Sequence, residues 1–222
     1  MKTYNVAQGS DEWLQMRLGI PSASNFSRII TPKEMKPSKS QDGYLAELVA
    51  EWWLGCPLDS FQSGFTERGT HMEDEARRYY AATTDDEVTR VGWCTSDDGA
   101  YGCSPDSLVG ADGLLELKCP SAAVHMAYLL NPDSLKAEYW CQCQGQLLVT
   151  GRKWNDLCAY HPVFPAVVVR ILPDPKFQAA LSDCLAGFAT RLSDAKAAVS
   201  PQREALRAER AQPGPNEDVG TF

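Results

Sequence analysis

A largely apolar stretch, GCSPDSLVGADGLLELKCP at 102–120, carries Asp106, Glu116 and Lys118 close together. Burying a charged group is costly unless a counter-charge or a metal compensates, so something must collect them. In an extended strand side chains alternate faces, and LLELKCP then puts Leu115, Leu117 and Cys119 on one side and Glu116 with Lys118 on the other. The GADG turn at 110–113 folds the chain back, and a pairing centred near Ala111 sets Asp106 opposite Glu116. A slip of one residue would reverse the facing. Two facing carboxylates repel unless a proton or cation intervenes, and hard oxygen ligands with open water positions suit Mg2+ or Mn2+. Beside such a cation Lys118 has two open roles: helping to deprotonate a water with a lowered pKa, or stabilising charge that develops on a phosphate. The competing expectation is an exposed hairpin face with ion pairs worth little.

The elements that must hold these groups can be read from periodicity. Helical spacing and stop signals predict short helices at 10–18 and 25–30 and a longer one at 43–54 closed by Gly55. A further helix at 65–84 places Glu73 beside the stripe Met72, Ala76, Tyr79 and Tyr80. Residues 88–94 and 101–119 are rich in β-formers and broken by Gly and Asp-Gly, which predicts three antiparallel strands. Helices at 122–130 and 134–149, strands at 154–161 and 166–172, and a last helix at 175–198 follow. This is an α/β chain with one domain over 1–199; the charged, proline-containing tail at 200–222 is expected to be disordered.

Composition narrows the function. Of 222 residues, 44% are hydrophobic and 23% charged, an ordinary globular balance. No segment reaches eighteen uninterrupted apolar residues and MKTYNVAQGSDEW lacks the apolar run of an export signal, so a cytoplasmic protein with no membrane partner is expected. The eight cysteines are then expected as reduced thiols, and the missing C-x2-C pairs argue against structural zinc or iron–sulfur sites. A net charge of -8 argues against a broad basic surface that coats nucleic acid, yet a nuclease with a narrow basic track remains compatible. Lys33, Lys36 and Lys39 form either a phosphate-touching loop or a solvated one.

The order Pro105-Asp106, nine residues, then Glu116-Leu117-Lys118 is the PD-(D/E)XK nuclease signature. Longer stretches say more: QGSDEWLQMRLGIPSAS at 8–24, GTHMEDEAR at 69–77, CSPD at 103–106, LELKCP at 115–120 and YWCQCQ at 139–144. Together they resemble the phage lambda exonuclease family, the YqaJ-type viral recombinases, over residues 8–162. The resemblance implies a restriction-endonuclease-like core, a mixed central sheet flanked by helices. It implies a Mg2+-dependent 5'-to-3' exonuclease acting on double-stranded DNA ends, in which Mn2+ can substitute and one or two ions serve each site. Asp106, Glu116 and the backbone carbonyl of Leu117 would hold the metal, Lys118 would act on the attacking water, and Glu73 and Gln142 would complete the site. Arg17, Ser24 and Ser104 match the positions that hold a terminal 5'-phosphate, where Arg gives a bidentate, permanently charged grip. A homotrimeric ring and a single-strand annealing protein are the implied partners, in phage or prophage recombination. The alternatives are a related endonuclease or repair nuclease indifferent to 5' ends, or a catalytically silent DNA-end-binding protein.

Overall fold

The computed structural model of the chain describes residues 1–58 and 63–211. A short strand β1 (Lys2–Tyr4) leads to helix α1 (Asp11–Arg17), a 3-10 helix (Ala23–Arg28), a hairpin of β2 (Ile30–Thr31) and β3 (Lys36–Pro37), and helix α2 (Gln41–Leu54). Helix α3 (Ser63–Thr83) precedes β4 (Val88–Thr89), β5 (Trp93–Thr95), β6 (Gly102–Cys103), β7 (Ser107–Val109) and β8 (Gly113–Lys118). Then come α4 (Ala122–Leu130), α5 (Pro132–Thr150), β9 (Trp154–His161), β10 (Phe164–Ile171) and α6 (Pro175–Ala211).

The central sheet runs β10-β9-β8-β7-β4, antiparallel except for the parallel pair β8–β9. Parallel neighbours need a long crossover, and α4 with α5 supplies it. The β7–β8 pairs Ser107↔Leu115, Leu108↔Leu114 and Val109↔Gly113 are centred on Ala111, the register that sets Asp106 against Glu116. Gly113 has a packing reason to lack a side chain, since a Cβ there would sit 2.2 Å from the Trp154 ring.

Alternation splits the packing between the two faces of the sheet. Leu114, Leu157 and Ala159 pack with Tyr128, Cys143 and Leu147 of α4 and α5. Leu115, Leu117 and Cys158 pack with Ala76 and Tyr80 of α3. Under the latter face the carboxylate of Asp156, only 4% exposed, receives the Tyr80 hydroxyl at 2.6 Å and two Arg170 nitrogens at 2.8 and 2.9 Å, which fixes α3 to the sheet. A third cluster joins the 3-10 helix, α2 and α6 through Phe26, Ile29, Tyr44, Leu48, Phe188 and Leu192. Helix α5 comes close to the 3-10 helix because residue 145 is glycine: a Cβ would lie 2.5 Å from Phe26.

Two expectations change. The residues read as three antiparallel strands divide between two sheets, because β5 pairs with the N-terminal β1 and with β6, leaving β4, β7 and β8 as the antiparallel part of the main sheet. Burial gives the reason: Val91, Cys94 and Cys103 pack inside the α2–α6 half of the core, and an N-terminal strand of exposed and half-buried residues completes the pairing of β5. The last helix continues past 198 and through Pro201 to Ala211, so residues 200–211 are helical where a disordered tail is expected. Proline removes one helix bond, but beyond it Arg203 donates to the carbonyls of Trp52 at 2.8 Å and Trp53 at 3.3 Å and stacks 4.1 Å from the Trp52 ring. Those contacts cap the last turn of α2 and tie the helix down. The remainder of the tail lies outside the described residues. No helix among those described is long and apolar enough to cross a membrane.

Candidate active site

Glu116 and Lys118 project from β8 toward α5, while α3 covers the opposite face. Glu116 is 4% exposed, which removes the exposed-hairpin alternative. Its Oε1 accepts from Lys118 Nζ at 2.8 Å and from Gln142 Nε2 at 2.5 Å, and its Oε2 accepts from Gln146 Nε2 at 2.6 Å. Gln142 and Gln146 lie one turn apart on α5 and so share a helix face. Lys118 also reaches Gln142 Oε1 at 3.4 Å and lies 4.4 Å from the centre of the Tyr139 ring, another residue on that helix. Gln144, two positions on, turns away to accept the Asp174 N–H at 2.9 Å and donate to Leu172 O at 2.8 Å.

Asp106 follows a short loop out of β6. Its backbone N–H donates to Leu115 O at 3.1 Å, and its Oδ2 accepts the Leu117 N–H at 2.6 Å, so the carboxylate is held against the backbone of β8. Gln8 Nε2 donates to Pro105 O and Val91 O, both at 2.8 Å, which secures the approach to Asp106. Arg77 of α3 fixes the other side, donating to Ser107 Oγ at 2.9 Å and Asp106 O at 3.4 Å.

Electrostatics mark this as a site short of positive charge. Burial first, then the nearby Glu116 carboxylate, push the Asp106 carboxyl well above the usual range, with the Leu117 N–H acting the other way. Glu73 is also raised, mainly by burial. Burial opposes the charged form of Lys118, but attraction to Glu116 and Asp106 outweighs it and its pKa is raised, not lowered. Those carboxylates favour the ammonium as long as no cation neutralises them. Cys119, pushed up to about 12 by burial and then by Glu73 and Asp106, stays a thiol.

Among the described residues no three His, Cys, Asp or Glu side chains are close enough together to hold a metal ion. Glu73, carried by α3, is near enough that its charge acts on Asp106, while those of Glu116 and Lys118 act on it. Two carboxylates with an adjacent backbone carbonyl still fit a hard divalent cation that keeps several waters. A carboxylate offers about four acceptor positions, and three on Glu116 are filled, leaving one for a cation on Oε2. The raised Asp106 is the group such a cation would relieve.

The expected phosphate residues form a second group near the first. Helix α1 starts at Ser10, whose hydroxyl accepts the Trp13 N–H, and ends at Arg17. The Arg17 guanidinium stacks 3.8 Å from the Trp13 ring and 5.3 Å from Trp93, and makes a long bond of 3.4 Å to Ser22 Oγ. Ser22 Oγ meets Ser24 Oγ at 3.0 Å, and Trp13 Nε1 donates to Ser104 Oγ at 2.9 Å. Arg17, Ser24 and Ser104 are thus brought together, but through Ser22 and Trp13. A cavity of about 240 Å³ opens beside them, lined by Trp13, Arg17, Ser22, Asn25, Arg28 and Tyr44 among others; neither Ser24 nor Ser104 lines it. Burial lowers the Arg17 pKa, and Tyr44 and Glu51 partly offset the effect. Ser104 stands two residues before Asp106, so the same loop serves both groups.

Sequence reasoning passed over Gln8, Ser22, Arg77, Gln146 and Asn155. The available signal was Gln146, one helical turn after Gln142. The others act across the fold and leave no periodic trace.

A mixed sheet flanked by helices, with Glu116 and Lys118 on β8 and Asp106 just before β7, defines a nuclease of the PD-(D/E)XK type. Residues 12–153 match the YqaJ-like viral recombinase domain, and the chain belongs to that family. It is similar to an alkaline exonuclease of Laribacter hongkongensis, LHK-Exo, at 30% identity and a TM-score of 0.76, covering 89% of this chain and all of that one. The same match holds for LHK-Exo in complex with dAMP. A phage-related exonuclease of Haemophilus somnus shares the fold, with a TM-score of 0.60 at 12% identity over 86% of this chain and 96% of that one. No curated protein matches the sequence.

Proposed function

We propose that the protein is a Mg2+-dependent 5'-to-3' exonuclease that degrades one strand from double-stranded DNA ends, releases 5'-mononucleotides and leaves 3' single-stranded overhangs for strand annealing. The observation that carries this reading is the proximity of two groups: the Asp106–Glu116–Lys118 cluster, and the stacked Arg17 joined to it through Trp13 and Ser104. An end phosphate held at the second group places a phosphodiester within reach of the first.

Asp106, Glu116 and the Leu117 carbonyl would hold the cation, which supplies activation of water and charge neutralisation at the phosphate. Lys118 stabilises negative charge that develops on the phosphate oxygens. Gln142, between Glu116 and Lys118, orients both. Arg17 binds the terminal phosphate with planar donors, and the serine hydroxyls donate to its remaining oxygens. The family resemblance adds a homotrimeric ring around DNA and an annealing protein as partner; LHK-Exo, an alkaline exonuclease, supports the end-directed activity.

The test is digestion of linear duplexes carrying 5'-phosphate or 5'-hydroxyl ends, and of closed circles, with Mg2+ and with EDTA. Metal-dependent loss of the linear 5'-phosphorylated strand is expected, with the circle intact. Cutting of circles, or indifference to the end group, would replace this reading with an endonuclease.

A further inference from the structure

The hydrogen bonds to Glu116 continue one residue deeper than the site requires. Gln146, 1% exposed, donates its amide to Glu116 Oε2 at 2.6 Å, and its Oε1 accepts from Asn155 Nδ2 at 2.6 Å. Asn155 is fully buried on β9, directly beside Leu114 of β8 and two residues from the position that pairs with Glu116. The chain has one direction. A carboxylate only accepts, so Gln146 must present nitrogen to it; its oxygen then requires a donor, and Asn155 must present nitrogen in turn. The cost falls at the far end, where Asn155 Oδ1 is buried without a partner among the described residues. Unpaired buried acceptors are rare and destabilising. What the asparagine supplies is the orientation of Gln146.

Resting on the metal-site reading above, we propose that Gln146, oriented by Asn155, is a positioning residue that fixes the Glu116 carboxylate for divalent-cation binding. Gln142 and Lys118 both act on Oε1; among the described residues Gln146 alone holds Oε2, the oxygen with an acceptor position left for the cation. Without it only Oε1 stays held, by Gln142 and Lys118, and the carboxylate can turn about its last bond. The partners of a metal-ligating side chain typically contribute about 10–100-fold to metal affinity.

The test uses the full chain and Mn2+ as probe, with affinity read by isothermal titration calorimetry and DNA-end binding read in EDTA. Gln146→Met keeps the length of the side chain and removes the amide; Asn155→Leu keeps its size and removes both the orienting donor and the orphaned oxygen. Each is expected to weaken Mn2+ binding about 10–100-fold, with metal-free DNA-end binding unchanged. Nuclease activity should recover as Mg2+ is raised. Asn155→Leu exchanges one orphaned buried oxygen, Asn155 Oδ1, for another, Gln146 Oε1, so its melting temperature should stay close to that of wild type while metal binding falls, a combination that a residue with only a packing role would not give. In the double variant the two losses should not add, because they act through one bond. Mn2+ affinity within twofold of wild type in either folded variant overturns the proposal and leaves the nuclease reading intact. A wild type that binds no Mn2+ overturns both. Should Gln146→Met fail to fold, Asn155→Leu decides the matter alone.

Discussion

Arg17 gives a prediction in which function and stability part company. Its guanidinium carries five N–H donors but among the described residues makes a single long bond of 3.4 Å, and burial disfavours its charge. A side chain that is desolvated, stacked and under-used fits a group waiting for an anion. Replacing it in Arg17→Met keeps the stem against Trp13 and removes the donors. One hydrogen bond to a charged partner is worth ~1.5–3 kcal/mol, which at ~1.4 kcal/mol per tenfold is a factor of about 10–150. The preference for a 5'-phosphorylated over a 5'-hydroxyl duplex, measured as the ratio of kcat/KM values, should fall by at least that factor. Stability should move little, because the lost stacking on Trp13, ~0.5–2 kcal/mol, is offset by release from burying a poorly paired charge. The melting temperature is expected within about 3 °C of wild type, given ~2–4 °C per kcal/mol for a chain of this size. An unchanged end-group ratio in a folded variant would refute the reasoning. So would a large drop in melting temperature with equal loss on both duplexes, which would make Arg17 a structural residue.

Lys118→Ala should bind DNA ends in EDTA as wild type does and lose turnover by at least about 100-fold; a kcat within tenfold of wild type would remove the lysine from the chemistry. Gly145→Ala drives a methyl to 2.5 Å from Phe26, where α5 meets the 3-10 helix. It should cost ~1–3 kcal/mol by overpacking, seen as a lower denaturant midpoint, and a neutral result would mean the two helices separate readily. Arg203→Ala removes two bonds to the end of α2 and should free the last turns of α6 to proteolysis while the catalytic core still melts as one unit; protection equal to wild type would show the clamp to be unimportant.

The local part of the site was legible and the assembled part was not. Strand alternation assigned Glu116 and Lys118 to one face, and the turn at Ala111 set the register, because both follow from rules within a dozen residues of chain. The helices of the crossover could be read from periodicity for the same reason. The second sheet could not: whether β5 pairs with β4 or with the distant β1 depends on which half of the core takes Cys94, and that is decided by packing over about ninety residues of separation. The helical extension beyond Pro201 is a tertiary override of a local breaker by Arg203. Gln8, Ser22 and Asn155 are ordinary polar residues whose importance arises only from what the fold places opposite them. Arg17, Ser24 and Ser104, by contrast, were marked out by resemblance to a family and not by their own spacing.

The central claim is that Asp106 and Glu116 hold a divalent cation beside Lys118. Its most direct test is anomalous diffraction from crystals soaked in Mn2+. The account predicts a peak bounded by the two carboxylates and the Leu117 carbonyl, absent from Asp106→Ala crystals treated in the same way. A soaked wild-type crystal with no peak there, and with the carboxylates turned apart into solvent, would contradict it.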